Sequence, residues 1–249
     1  MKKNKWEIIY EDDDLMAINK PHGWLSVPDR FDNSLLNIYH SLQEYRDKVI
    51  LVHRLDKNTS GIMLVAKNEN AHQVLNQQFE NNEVTKTYVA FVQGLPPEEV
   101  FQVDAPIYYN PSKPGQVTIH KSGKESQTKF KLEKRWNRFS KLLCKPITGR
   151  MHQIRVHLQY IGNPLMIDPV YSGQRDFYIS SIKRKYTLGK EKVERPLLTR
   201  QTLHAHFIEF KLPSTNKVTT FEAPIPKDLR ALEKQLDKWA SEPTTTKLY

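Results

Sequence analysis

The chain carries a single cysteine, Cys144, among 249 residues. That excludes an internal disulfide framework and any cysteine-based metal cluster. No apolar run approaches the ~20 residues that a membrane-spanning helix needs. The basic start Met1-Lys2-Lys3-Asn4-Lys5-Trp6 leads into Glu7 and Glu11-Asp12-Asp13-Asp14, where a secretory signal would place an apolar stretch. A soluble, unexported, cytoplasmic protein is the expectation. Acidic residues are also scarce, 28 against 38 basic ones, for a formal net charge of +10. Such a balance favours a polyanionic partner. No His-Glu-x-x-His pattern occurs, and His152 and His157, five apart, point in different directions on a helix, so no metal site is expected. Internal repeats and linkers are absent too. A single unit over residues 1–240 is expected, with a loose tail at 241–249.

What is present is concentrated first in Val52-His53-Arg54-Leu55-Asp56-Lys57-Asn58-Thr59-Ser60-Gly61. Three cationic or potentially cationic side chains, His53, Arg54 and Lys57, crowd one carboxylate, Asp56. A turn-forming run follows, then Ile62-Met63-Leu64-Val65-Ala66, an apolar run of strand length. Asp56 is therefore expected on a short loop leading into a buried strand, fixed in space yet reachable. The surrounding positive charge favours its ionised form and attracts polyanions. A surface loop with a local ion pair fits the charge pattern equally well.

The run His53 to Gly61 resembles the His-Arg-Leu-Asp-x-x-Thr-Ser-Gly signature of the RluA-type pseudouridine synthases. The resemblance implies that Asp56 is the essential catalytic residue in converting uridine in RNA to its C5-linked isomer. Other segments agree in order. Asn19-Lys20-Pro21-His22-Gly23 is similar to the family's first motif. With five residues ahead of Trp6, no small RNA-binding domain of S4 type is expected there, and the chain looks most like the RluA subgroup. Lys86-Thr87-Tyr88 resembles a Lys-x-Tyr element whose tyrosine stacks on the target base, although a lone strand tyrosine is more often a core residue. Pro146 to Leu158 resembles the third motif, with Met151 where Thr or Ser is usual. By that resemblance Arg155 pairs with Asp56. Asn163 to Tyr171 is similar to a Pro-Leu-x-Gly-Asp-x-x-Tyr segment, but Ile167 replaces the glycine, and no site function is assigned to it.

Periodicity supplies the scaffold. Strands are expected at 6–10, 15–20, 84–93, 141–147, 202–210 and 219–223, and helices at 33–46, 69–82, 150–160 and 227–239. On the strand 84–93, Lys86, Tyr88, Ala90 and Val92 share one face. Residues 106–116 read as a proline-rich connection, and 117–119 is expected to pair with 126–134 as a hairpin. Arg155 borders an apolar helix stripe, a position that calls for a nearby anion or for snorkelling.

From 171 to 200 the chain holds eight basic against three acidic residues, a net of +5, with Phe177, Tyr178 and Tyr186 interleaved. This insertion reads as an RNA clamp or as a mobile surface loop. The candidate RNA contacts are Arg54, His53, Lys86, Arg150, Lys183, Arg184 and Lys185.

The family resemblance implies an α+β fold: a curved, mostly antiparallel mixed sheet in two lobes with flanking helices and an RNA cleft. It implies cofactor-free chemistry, because the rearrangement is redox-neutral, with Asp56 acting at C1′, at C6 or through a glycal. The expected partner is ribosomal or transfer RNA, and the expected state a monomer. An RNA chaperone without turnover is a second reading. An N-glycoside hydrolase is a third, weakened because the aspartate loop offers no second carboxylate to activate water.

Overall fold

A computed structural model describes residues 6–188 and 193–241. Its backbone is a ten-stranded sheet with four helices around it. The strands are β1 (Glu7–Glu11), β2 (Leu15–Lys20), β3 (Ile50–Leu51), β4 (Ser60–Ala66), β5 (Thr85–Gln93), β6 (Val100–Asp104), β7 (Ile107–Tyr109), β8 (Val117–Ile119), β9 (Gln127–Arg135), β10 (Phe139–Pro146), β11 (Leu203–Lys211) and β12 (Val218–Glu222). The main sheet runs β1-β2-β4-β11-β5-β10-β9-β6, with β12 on β11 and β3 on β4, while β7 and β8 form a small ribbon. All its pairings are antiparallel except β4 with β11. The fold is thus α+β with a mostly antiparallel sheet, as expected.

The parallel contact joins the first strands to the rest, and Gly61 makes it possible. Its φ is +119°, and a Cβ there would lie 2.0 Å from the Ala205 carbonyl oxygen. Only glycine allows β11 to approach so closely just after the aspartate loop.

Strand β5 is buried on both faces, as its double apolar pattern requires. Val89 and Phe91 pack with Trp136 and the α4 (Lys227–Trp239) leucines Leu229, Leu232 and Leu236. Ala90 and Val92 pack on the other face with Leu142, Ile154 and Leu158. The helix α2 (Glu69–Glu80) begins at Asn68, whose side chain accepts from Ala71 N–H. The asparagine satisfies a backbone donor that the first helical turn leaves free.

Three expectations need correction. Helix α1 spans Ile38–Tyr45, capped by Asn37, rather than starting at 33. The side chains of Asp29 and Asp32 accept backbone N–H groups at 31, 32 and 34, and so hold that stretch in turns. The hairpin is also different: β8 pairs with β7, inside the expected connection, and β9 pairs with β10 and β6. Finally, helix α3 spans Gln153–Tyr160, three residues shorter than expected, because His152 adopts a left-handed φ of 53°. The tail expected at 241–249 lies, apart from Ser241, outside the described residues. None of the described helices is long and apolar enough to cross a membrane.

Candidate active site

Asp56 lies on the loop between β3 and β4, in a cleft of about 570 Å³. This lies within the ~300–1,000 Å³ range of small-molecule sites. Loop residues 53–56, Lys86 and Tyr88 of β5, Thr148 to Arg150, and His152 to Arg155 line it. The cleft therefore joins segments far apart in sequence.

The loop is held from several sides. Ser26 Oγ donates to the Leu55 carbonyl at 2.8 Å and accepts from Leu55 N–H at 3.0 Å. Lys20, fully buried, donates to the carbonyls of Pro21, Trp24 and Lys57 at 3.1, 2.6 and 3.2 Å. Burial lowers its ammonium to about 7, against the opposing pull of Asp56. This is the local role of the Lys-Pro-x-Gly stretch, since Gly23 N–H also donates to the Lys57 carbonyl at 2.8 Å.

Arg155 meets Asp56 directly: Nη1 donates to Oδ2 at 3.0 Å. Its remaining nitrogens engage Asp168, with Nε to Oδ2 at 2.7 Å and Nη2 to Oδ1 at 2.9 Å. Such a bidentate fork fixes the guanidinium plane. Asp168 is 0% exposed. Burial alone would lower the Arg155 guanidinium, but the bonds and charge of Asp168, together with Asp56, leave it raised. Gln201 Nε2 donates to Asp168 at 3.2 Å, and Gln201 Oε1 accepts from Thr59 Oγ1 at 3.0 Å. Thr59 N–H in turn donates to the Asp56 carbonyl at 3.1 Å. The circuit Asp56–Arg155–Asp168–Gln201–Thr59 returns to its own loop and fixes the carboxylate.

Asp168 was the site residue missed by sequence reasoning. Its signal was a carboxylate directly after the apolar Leu165-Met166-Ile167, together with an arginine whose position called for an anion. Ile167, in place of glycine, is buried against Val89 and Phe91 and takes no positive φ. Tyr171 is a second omission. Its ring lies 4.9 Å from the Arg155 guanidinium, and its hydroxyl is 3.0 Å from His152 Nδ1. His152 Nε2 is 3.7 Å from Asp56 Oδ2. Burial lowers the His152 imidazole despite the attraction of Asp56.

Tyr88 lies on the cleft face of β5, opposite Cys144 and Ala205. Burial, and then the charge of Asp56, raise its phenol, so the hydroxyl stays protonated at neutral pH. Lys86, on the same face, is 5.6 Å from the Phe79 ring, and burial lowers its ammonium. Arg54 and Arg150 are exposed on the cleft wall.

His53 departs from its assigned cationic role. Its Nε2 accepts from Leu64 N–H at 2.9 Å and its ring stacks on Phe79 at 4.7 Å. Burial, helped by Lys86, lowers it to about 3, so it is a neutral wall of the cleft at pH 7. Of the basic insertion, none of Lys183, Arg184 and Lys185 lines this cleft. Arg200, counted among the clamp cations, is buried and donates to Ser60 Oγ at 2.6 Å. Lys190 and Lys192 lie outside the described residues. Among the described residues, no group of three His, Cys, Asp or Glu side chains could hold a metal ion.

The cleft thus brings together an anchored carboxylate, a tyrosine and exposed arginines. Residues 14–160 match the RNA pseudouridylate synthase family, and the chain belongs to it. It is 34% identical over 240 residues to the uncharacterized RNA pseudouridine synthase YlyB of Bacillus subtilis, covering 93% of this chain and 73% of that one. It is 36% identical over 233 residues to ribosomal large subunit pseudouridine synthase C of Escherichia coli K12, covering 91% and 69%. Among solved structures, human RNA pseudouridylate synthase domain containing 1 superposes with a TM-score of 0.70 at 26% identity, over 96% of this chain and 89% of that one.

Proposed function

We propose that this enzyme converts specific uridines of ribosomal RNA to pseudouridine, with Asp56 as the catalytic residue. The observation that carries the reading is the convergence of Asp56, Arg155 and Tyr88 on one cleft. A target uridine turns out of its helix or loop at a cost of a few kcal/mol, which favours unpaired sites. Its base rests against Tyr88, since stacking tolerates the rotation that the reaction demands. With Asp56 acting on the flipped nucleotide, the N1–C1′ bond breaks and a C5–C1′ bond forms. The proton on C5 is lost and N1 gains one, so no net oxidation occurs. Arg155, fixed by Asp168, positions the carboxylate. Arg54 and Arg150 meet phosphates at the cleft wall.

The name of the Escherichia coli relative supports large-subunit ribosomal RNA as the substrate class. Tritium release from RNA labelled at uridine C5 tests the reading. Wild type is expected to release tritium, and Asp56→Asn to bind RNA without release. Binding without release by the wild type would indicate a chaperone, and free uracil a hydrolase.

A further inference from the structure

The basic insertion has a destination of its own. Lys183 and Arg184 line a second depression, of about 610 Å³, together with Arg138 of the β9–β10 turn and Lys238 and Trp239 at the end of α4. Among the described residues, four cations and no carboxylate form its wall. Two carboxylates nearby are already engaged: Glu194 accepts from Ser180 N–H at 2.9 Å, and Asp237 accepts from Trp136 Nε1 and Lys134 Nζ, each at 2.8 Å.

The depression is built. Arg138 Nη2 donates to the Ser181 carbonyl at 2.8 Å, tying the insertion to the turn, and Asn137 N–H donates to the Ala240 carbonyl at 2.8 Å, tying down the helix end. Phe177 is buried among Leu198, Trp136 and the α4 leucines, so the insertion is rooted in the core. Lys183 and Lys238 place their ammonium groups 4.8 and 4.9 Å from the Trp239 ring. The ring gathers both cations while remaining 37% exposed.

It shares no wall residue with the Asp56 cleft. Arg138 precedes one end of β10, and Pro146, a wall residue of the cleft, ends the other. At ~3.4 Å per residue that separates them by about 25 Å along the strand.

We propose that this surface is a second RNA-binding site, which holds the sugar-phosphate backbone of the substrate RNA at a distance from the flipped uridine. It rests on the proposed function only for the identity of the polyanion. Cations crowded around one aromatic ring suit phosphate positioning without sequence readout. The consequence is that a long RNA engages both surfaces, and a short stem-loop only the cleft.

The test uses the full chain and two RNAs that contain the same target, a short stem-loop and a ribosomal fragment several times longer. Lys183, Arg184 and Lys238 are replaced together by Gln in one variant, and in a second the charge is kept by Lys183→Arg, Arg184→Lys and Lys238→Arg. The Gln variant should bind the long RNA at least tenfold more weakly, with a log–log salt slope reduced by about 2, at ~0.7 per lost contact. Its affinity for the stem-loop should not change, and the charge-retaining variant should match wild type on both. Equal loss on both RNAs, or no loss on the long one, overturns the proposal. So does unchanged RNA binding accompanied by lost sedimentation with phosphatidylserine vesicles, which would make this a membrane-facing surface. Tritium release by the wild type, read separately, reports on the enzyme assignment, so the two ideas fail by different signals.

Discussion

Charged side chains behave in opposite ways in the two depressions. Around Asp56, Arg155 is spent on three carboxylate bonds, Lys20 on three carbonyls, and Asp168 is enclosed. Around Trp239, Lys183 and Lys238 lean on an exposed ring, and among the described residues no carboxylate forms part of the wall. The first arrangement fixes a single geometry; the second offers charge with latitude. Chemistry at one atom needs the former, because a displaced carboxylate misses its target. Holding a phosphate backbone needs only the latter. A positive run in a sequence therefore does not mark a catalytic cleft by itself.

Breaking the circuit should have the largest effect. Asp168→Asn keeps the shape but leaves Arg155 with a buried, half-paired charge. Removing one partner of a buried pair costs ~3–5 kcal/mol. Urea denaturation should show a loss in that range. In the surviving folded fraction, kcat for tritium release should fall at least tenfold, with KM for the stem-loop changed little. Unchanged kcat would mean that Asp56 does not depend on this anchor. Gln201→Glu, which adds a carboxylate beside Asp168, should damage the same readout in the same direction.

Tyr88 sharpens the comparison at intermediate size. Tyr88→Phe keeps the ring, and Tyr88→Leu removes the stacking surface. If the ring supports the flipped base, the leucine variant should lose about 1–3 kcal/mol of transition-state stabilisation in kcat/KM. The phenylalanine variant should retain near-wild-type RNA affinity. A drop in kcat already present in the phenylalanine variant, which keeps the ring, would assign the protonated hydroxyl a part in the proton movements.

Much of this site was legible before the fold was known, because short motifs fix residues locally. A turn-rich loop entering an apolar strand placed Asp56, and alternation placed Tyr88 on one face of β5, but the roles of both came from the family resemblance. The Arg155 pairing came from resemblance, and the geometry supplies it at 3.0 Å. Asp168 was hidden because its role depends on a partner on another element, and Ile167 breaks the pattern of its segment. Arg200 looked like an exposed clamp residue until β11 and β4 closed over it. The strand β6 was missed because it lies at the sheet edge with alternate residues exposed, a pattern that also fits a loop. Tertiary pairing, rather than propensity, decides such cases.

The smallest effect, absent at neutral pH, concerns acid and two histidines, one fully buried and one partly buried in the cleft wall. His204 is fully buried; its Nδ1 is 2.8 Å from Ser60 Oγ and its Nε2 3.3 Å from the Ala223 carbonyl. Arg200 already donates to that serine, so the serine hydroxyl donates to Nδ1 and His204 Nε2–H donates to the carbonyl. Burial first, with Arg200 and His206 adding to it, holds His204 at about 4, and His53 is held at about 3. Both folded values lie below the unfolded value of 6.5. The unfolded chain therefore binds more protons below pH 6.5, and stability falls as pH decreases. Stability is fully present above pH 6.5 and is lost progressively towards pH 4 for His204 and pH 3 for His53. The expected loss is ~1–3 kcal/mol for His204, since each tenfold weakening of proton binding on folding corresponds to about 1.36 kcal/mol. Urea midpoints measured from about pH 7.5 to about pH 4.5, which brackets most of that decline, should trace it. His204→Asn, though less stable at pH 7, should show a flatter one. An identical slope in the variant would place the acid sensitivity on other groups.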